Sequence, residues 1–197
     1  MRYRIDRRWW LIGMAFAVIA VQWAFPTSFT TIWPPLVFVI VSIVMYRKEL
    51  RAYDWGTVWK KSFWEPTFFA VTQGMIAQAI GIVAVQHAIG IQPQALPFEI
   101  TLWAAMSAIV FSGILEELVY RKSVFGFLDG RISFWPAAAV SSLFFAIVHA
   151  NYAAWLGYFL LGLVWCRTYK KTGDIGVVIA SHMIFNAVAL FVMAGRG

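Results

Sequence analysis

Two adjacent carboxylates, Glu116 and Glu117, stand in Leu115-Glu116-Glu117-Leu118-Val119-Tyr120-Arg121. They follow an apolar run, Ile100–Leu115, broken only by Thr101, Ser107 and Ser112. A charge deep in a bilayer costs at least about 2.5–3.5 kcal/mol on insertion scales, so an acid there is expected to pair or to act. Helical spacing separates the two. Glu117 and Arg121 lie at i, i+4 with the acid N-terminal, the favourable order for an ion pair. Glu116 points roughly 100° further round the helix and has no cation at that spacing. Glu117 is therefore expected to brace and Glu116 to do chemistry. The competing reading is a helix end that reaches interfacial water, with both acids solvated.

Three further polar residues lie in apolar stretches. His149 ends the run Ser142–Val148, and His182 and Asn186 stand four apart, on one helix face. Groups of this kind within lipid need hydrogen-bond partners or a wet pocket. A pocket between three helices, holding Glu116, His149, His182 and Asn186, would supply both. Two His, one Asn and one Glu across three spans favour function over packing. Glu116, His149 and His182 could form the three-ligand set of a catalytic zinc site, although no His-Glu-x-x-His motif is present. His87, with only Gln86 and Gln92 near it, reads as interfacial, and Cys166 as a packing residue.

The elements that position these residues follow from composition. The chain has 197 residues, 61% of them hydrophobic and 13% charged, with mean hydropathy +0.73. That excludes an ordinary soluble domain and indicates an all-α, polytopic membrane bundle. Seven apolar segments can be drawn: Trp9–Phe25, Ile32–Tyr46, Pro66–Ile91, Ile100–Tyr120, Trp135–His149, Ala153–Cys166 and Ile175–Met193. Their breaks carry turn residues, among them Gln92-Pro93 with Pro97, Asp129-Gly130 and Thr172-Gly173-Asp174. The basic stretch Arg2–Arg8 precedes an apolar run without a small-x-small cleavage site, so it reads as a first span. Trp9, Trp10, Trp33, Trp59, Trp64, Trp135 and Trp155 fall near span ends, as an interfacial belt requires. Small residues in the sixth span (Ala153, Ala154, Gly157, Gly162) and the fourth (Ala104, Ala105, Ala108, Gly113) suit close helix packing. One domain, 1–197, is expected.

Charge fixes an orientation. The net charge of +7 fits membrane loops rather than nucleic acid. With the N-terminus cytoplasmic, that side receives Arg2, Arg4, Arg7, Arg8, Arg47, Lys48, Arg51, Lys60, Lys61, Arg121, Lys122, Arg131, Arg167, Lys170 and Lys171. Only Arg196, of the sixteen basic residues, falls outside. This predicts seven spans, N-terminus in and C-terminus out. Arg47–Lys61 reads as an interfacial amphipathic segment with Leu50, Tyr53, Trp55 and Trp59 toward lipid. One conflict remains. Glu116 would lie only roughly 8 Å inside its helix end and His149 roughly 20 Å inside its own. They meet only if a helix tilts or starts later, or if part of 123–134 enters the membrane.

Taken in order, three motifs resemble the CAAX-protease and bacteriocin-processing (CPBP, Abi-type) family of intramembrane endopeptidases. They are Glu-Glu-x-x-x-Arg at Glu116–Arg121, Phe-x-x-x-His at Phe145–His149 and His-x-x-x-Asn at His182–Asn186, with the Thr172-Gly173-Asp174 turn before the last. The likeness covers about residues 100–190. It implies a multi-pass protein of a prokaryotic plasma membrane that cuts a membrane-associated peptide or protein without an acyl-enzyme. Candidate substrates are a CAAX-like tail, a peptide precursor or a C-terminal sorting signal. It further implies Glu116 as base with His149, His182 and Asn186 at the oxyanion, Glu117, Arg121 and Phe145 bracing the site, and no cofactor. A zinc-dependent protease, with Glu116, His149 and His182 as ligands, is the alternative within the family. A non-catalytic immunity or scaffold protein of the same fold and a small transporter are alternatives outside it. An inverted repeat would favour the transporter, and the sequence has none.

Overall fold

The computed structural model describes residues 6–91 and 101–194. The Gln92-Pro93 and Pro97 break, the Ile100 start of the fourth span, and the charges of Arg2, Arg4 and Arg196 lie outside the described residues. Helix is the only regular structure among those that are described. Helix α1 is Arg7–Ala24, α2 Ser28–Met45, α3 the short Arg47–Ala52, α4 Lys61–Ile89, α5 Leu102–Leu128, α6 Phe134–Val148, α7 Trp155–Thr172 and α8 Ile175–Ala194. Four of them, α2, α4, α5 and α8, are long and apolar enough to cross a membrane, and α6 is a shorter apolar helix. The seven predicted segments correspond to the seven longer helices.

Local chemistry sets the ends. Asp6 caps α1 by accepting from the Arg8 amide. Thr27 and Thr30 form a reciprocal capping box at the start of α2. Helices α4 and α7 stop at Gly90 and Gly173, at φ 68° and 66°, a conformation that suits glycine. Asp174, in the turn after Gly173, accepts from the Gly176 amide and from the Tyr53 hydroxyl, each at 2.8 Å. Burial, then the Asp174 carboxylate, push the Tyr53 hydroxyl pKa up to about 12.

The buried cluster draws on every long helix. It includes Leu11 and Ala15 (α1), Phe38 (α2), Ala70 (α4), Leu115 and Val119 (α5), Phe145 (α6), Trp165 (α7), and Val178 and Phe185 (α8). Helix α7 packs most extensively, against α4 and α6, while α1 lies along the second half of α5. Glycine sets the α4–α7 approach. A Cβ on Gly81 would come within 2.4 Å of the Gly157 amide nitrogen, and one on Gly157 within 2.8 Å of the Gln78 carbonyl oxygen. A Cβ on Gly162 would meet the Ser142 hydroxyl at 2.7 Å. Backbone cannot yield as a flexible side chain does. Gly81→Ala should therefore separate the two helices and cost about 1–3 kcal/mol. A melt of the detergent-solubilised variant checks this, and an unchanged midpoint would contradict the close approach.

Three expectations are corrected. The fourth span does not end at Tyr120, because α5 continues to Leu128. Arg121 is 0% exposed inside it and Lys122 is half-buried, its ammonium 4.1 Å from the Tyr46 ring centroid. Arg121 is thus no loop charge: Glu117 and surrounding rings accommodate it within the bundle. Second, the depth conflict disappears. Twelve residues of helix, roughly 18 Å, separate Glu116 from Leu128, and fifteen, roughly 22 Å, separate His149 from Phe134. Third, the segment after α2 divides its faces differently. Trp55 and Trp59 are exposed, but Leu50 packs on the core and Tyr53 turns inward to Asp174. The seven belt tryptophans are all exposed.

Candidate active site

Helix α5 is not a regular α-helix. It widens into π-helical turns at Ser107–Phe111 and Glu117–Phe125, on either side of the α-helical turn that ends in Glu116. Such wide turns are rare and gather at functional sites. They leave carbonyls to be satisfied by side chains. Ser123 Oγ donates to the Leu118 carbonyl at 2.8 Å, and the Ala108 carbonyl accepts from both Ser112 Oγ and Asn186 Nδ2, each at 2.8 Å. Asn186 therefore ties α8 to the first wide turn.

Glu117 lies at the centre of the bundle, fully buried. Its Oε1 is 2.7 Å from His182 Nδ1 and 3.2 Å from Arg121 Nη1. The second distance gives charge attraction without hydrogen-bond alignment, since the Arg121 nitrogens have no hydrogen-bond partner in the structure. The guanidinium is instead surrounded by aromatic faces, 4.3 Å from the Phe145 centroid, 5.0 Å from Trp165 and 5.9 Å from Tyr120. Cation–π attraction of this kind strengthens as water is excluded. The sequence pairing of Glu117 with Arg121 is present, and Glu117 has a second partner that spacing did not reveal.

Both histidines turn the same nitrogen toward Glu116. His149 Nδ1 lies 2.6 Å from the Phe145 carbonyl oxygen. A carbonyl only accepts, so Nδ1 carries the proton and Nε2 faces away from it. His182 Nδ1 is held by Glu117 in the same manner. The two Nε2 atoms then stand 3.8 Å (His149) and 3.7 Å (His182) from the same Glu116 oxygen, Oε2. These separations exceed a direct hydrogen bond. The Glu116 side chain is 17% exposed. Glu116 and His149 line a cavity of about 200 Å³ bounded by α1, α2, α5 and α6. His182 and Asn186 are not among the residues that line it.

Sequence reasoning missed the contribution of α7. Tyr158 stacks on His149 with centroids 3.9 Å apart, and Trp165 on His182 at 4.1 Å. The two aromatics are seven residues apart, hence on one face of α7. That spacing was legible, but the sequence does not reveal which helix the face meets. Directly after His149, Ala150 adopts φ 49°, a left-handed turn unusual for a residue with a Cβ, and the chain leaves α6 there. His87 is exposed and is not among the residues that line the cavity. Among the described residues, no group of three His, Cys, Asp or Glu side chains is arranged to hold a metal ion.

Fold and site together define a multi-helix membrane protein with a carboxylate–imidazole cluster beside a cavity. Residues 98–188 match the family model described as type II CAAX prenyl endopeptidase Rce1-like. A Bacillus subtilis (strain 168) protein named as a candidate membrane peptidase, YdiL, is 38% identical over 93 residues, 47% of this chain and 36% of that protein. The membrane-embedded CAAX protease MroQ of Staphylococcus aureus (strain USA300) is 35% identical over 83 residues, 39% of this chain and 34% of its own. The matched stretch thus spans about a third of each relative. No solved structure matches the chain. Residues 98–188 are thus similar to Rce1-like CAAX endopeptidases, which agrees with the resemblance carried by the three motifs.

Proposed function

We propose that this protein is an intramembrane endopeptidase that cleaves a peptide bond of a membrane-associated substrate with directly activated water. The observation that carries the reading is the convergence of His149 Nε2 and His182 Nε2 on Glu116 Oε2, at 3.8 and 3.7 Å, at the edge of a cavity. Spacings just beyond hydrogen-bond range suit a bridging water. Glu116 takes a proton from that water as its oxygen bonds to the scissile carbonyl carbon. The carbon–nitrogen bond then breaks, and the same proton passes to the leaving amine. His149, with its Nε2 free, shares the proton with Glu116. The second Asn186 amide hydrogen, and His182 Nε2–H when that ring is in its imidazolium form, supply the oxyanion with donors. Oriented donors of this type are a major term in acyl-transfer catalysis. The N-terminus faces the cytoplasm of a prokaryotic cell in this account.

The substrate class is tested with purified protein in proteoliposomes. The probes are quenched-fluorescent peptides ending in cysteine, two aliphatic residues and methionine, with and without S-farnesylation. Mass spectrometry should find one new C-terminus, formed by the wild type. Intact peptide in every case would reject the endopeptidase reading and favour a non-catalytic protein of this fold. The same assay addresses metal. Activity should survive exhaustive dialysis against a strong chelator. Activity lost on dialysis and restored by zinc would turn Glu116, His149 and His182 into ligands.

A further inference from the structure

Helix α1 lies outside the family-matched residues 98–188, yet it forms one wall of the cavity through Val18, Ile19, Gln22 and Trp23. Gln22 brings a carboxamide to that wall. The residue is half-buried, and its side chain makes no hydrogen bond with another described residue. The cavity's aliphatic hydroxyls are engaged by backbone: Ser107 donates to the Thr31 carbonyl, Thr31 to the Thr27 carbonyl and Ser112 to the Ala108 carbonyl. Gln22 therefore differs from them. A carboxamide offers a donor and an acceptor in one plane, the same pair that a peptide group needs. Within a membrane, an extended segment entering the cavity presents peptide N–H and C=O groups that are costly to leave unpaired.

We propose that Gln22 is a substrate-binding residue whose carboxamide pairs with one main-chain peptide group of the extended segment to be cut, in the cavity that Glu116 and His149 also line. This rests on the endopeptidase reading and names what the α1 wall recognises: backbone rather than a particular side chain. Gln22 then contributes affinity that is equal in the ground and transition states, so its loss raises KM and leaves kcat alone.

The test uses the full chain and two readouts. The probe is a fluorescein-labelled, S-farnesylated peptide ending in cysteine, two aliphatic residues and methionine. Its binding is measured by anisotropy to Glu116→Gln protein, with and without Gln22→Leu. Gln22→Leu should weaken binding about 5–10-fold, as loss of one hydrogen-bonded pair does, with an unchanged melting midpoint. A series of peptides in which single peptide N–H groups are replaced by ester oxygen locates the partner. One position should lose about the same factor with Gln22 present and nothing with Gln22→Leu. Binding that is absent, or indifferent to Gln22→Leu, or an ester penalty that persists without Gln22, would overturn the proposal. Gln22-dependent binding by a protein that cleaves nothing would uphold this inference and reject the endopeptidase reading alone.

Discussion

Glu116→Gln should lower turnover by about 10²–10⁴-fold, the usual contribution of a general base, while the protein stays folded. The structure explains why the two effects separate. Glu116 Oε2 has no hydrogen-bond partner, and the two histidine Nε2 atoms that face it are beyond bonding distance. No fold-holding contact is therefore removed by the amide, which keeps the shape of the side chain. Substrate should still bind, because glutamine keeps the shape of Glu116 and the other cavity walls are untouched. The loss should appear in kcat and not in KM.

Glu117→Gln should fail first in stability. It leaves Arg121 without its counter-charge in a position that is 0% exposed. Removing one partner of a buried pair costs about 3–5 kcal/mol, a large part of what holds a domain together. The aromatic faces around the guanidinium offset some of this, which places the expected loss at the lower end. Activity should fall as well, since Glu117 Oε1 also fixes His182 Nδ1 at 2.7 Å. A glutamine carbonyl can still accept from that nitrogen, so the activity loss should be much smaller than for Glu116→Gln. Combining Glu117→Gln with Arg121→Met removes the stranded charge and should recover part of the melting midpoint. Recovery tests the ion pair separately from the histidine contact.

The sequence made the helices legible because each long helix coincides with a distinct apolar run, and the caps and glycine stops lie close to the ends drawn for them. The candidate cluster was legible as a set of residues, because acids and imidazoles are scarce enough in apolar segments for each one to need a reason. What stayed hidden was geometric. Arg121 read as a loop charge because local spacing does not report that Phe145 and Trp165, from two other helices, enclose it. The wide turns of α5 have no sequence signal of their own, although Ser107, Ser112 and Ser123 are side chains that such turns employ. Trp165 and Tyr158 stack on the histidines across helices, and Gln22 lines the cavity from a helix that carries none of the three motifs. Tertiary placement determines all of these, so no local pattern could disclose them.

The central claim, that Glu116 activates water while Glu117 positions the groups around it, is tested most directly by measuring kcat and the melting midpoint together. Wild type, Glu116→Gln and Glu117→Gln would be compared in one detergent on one quenched-fluorescent peptide. The account predicts a Glu116→Gln protein with a near-wild-type midpoint and almost no turnover, beside a Glu117→Gln protein with a lowered midpoint and measurable turnover. A stable, active Glu116→Gln protein beside a stable, inactive Glu117→Gln protein would contradict it.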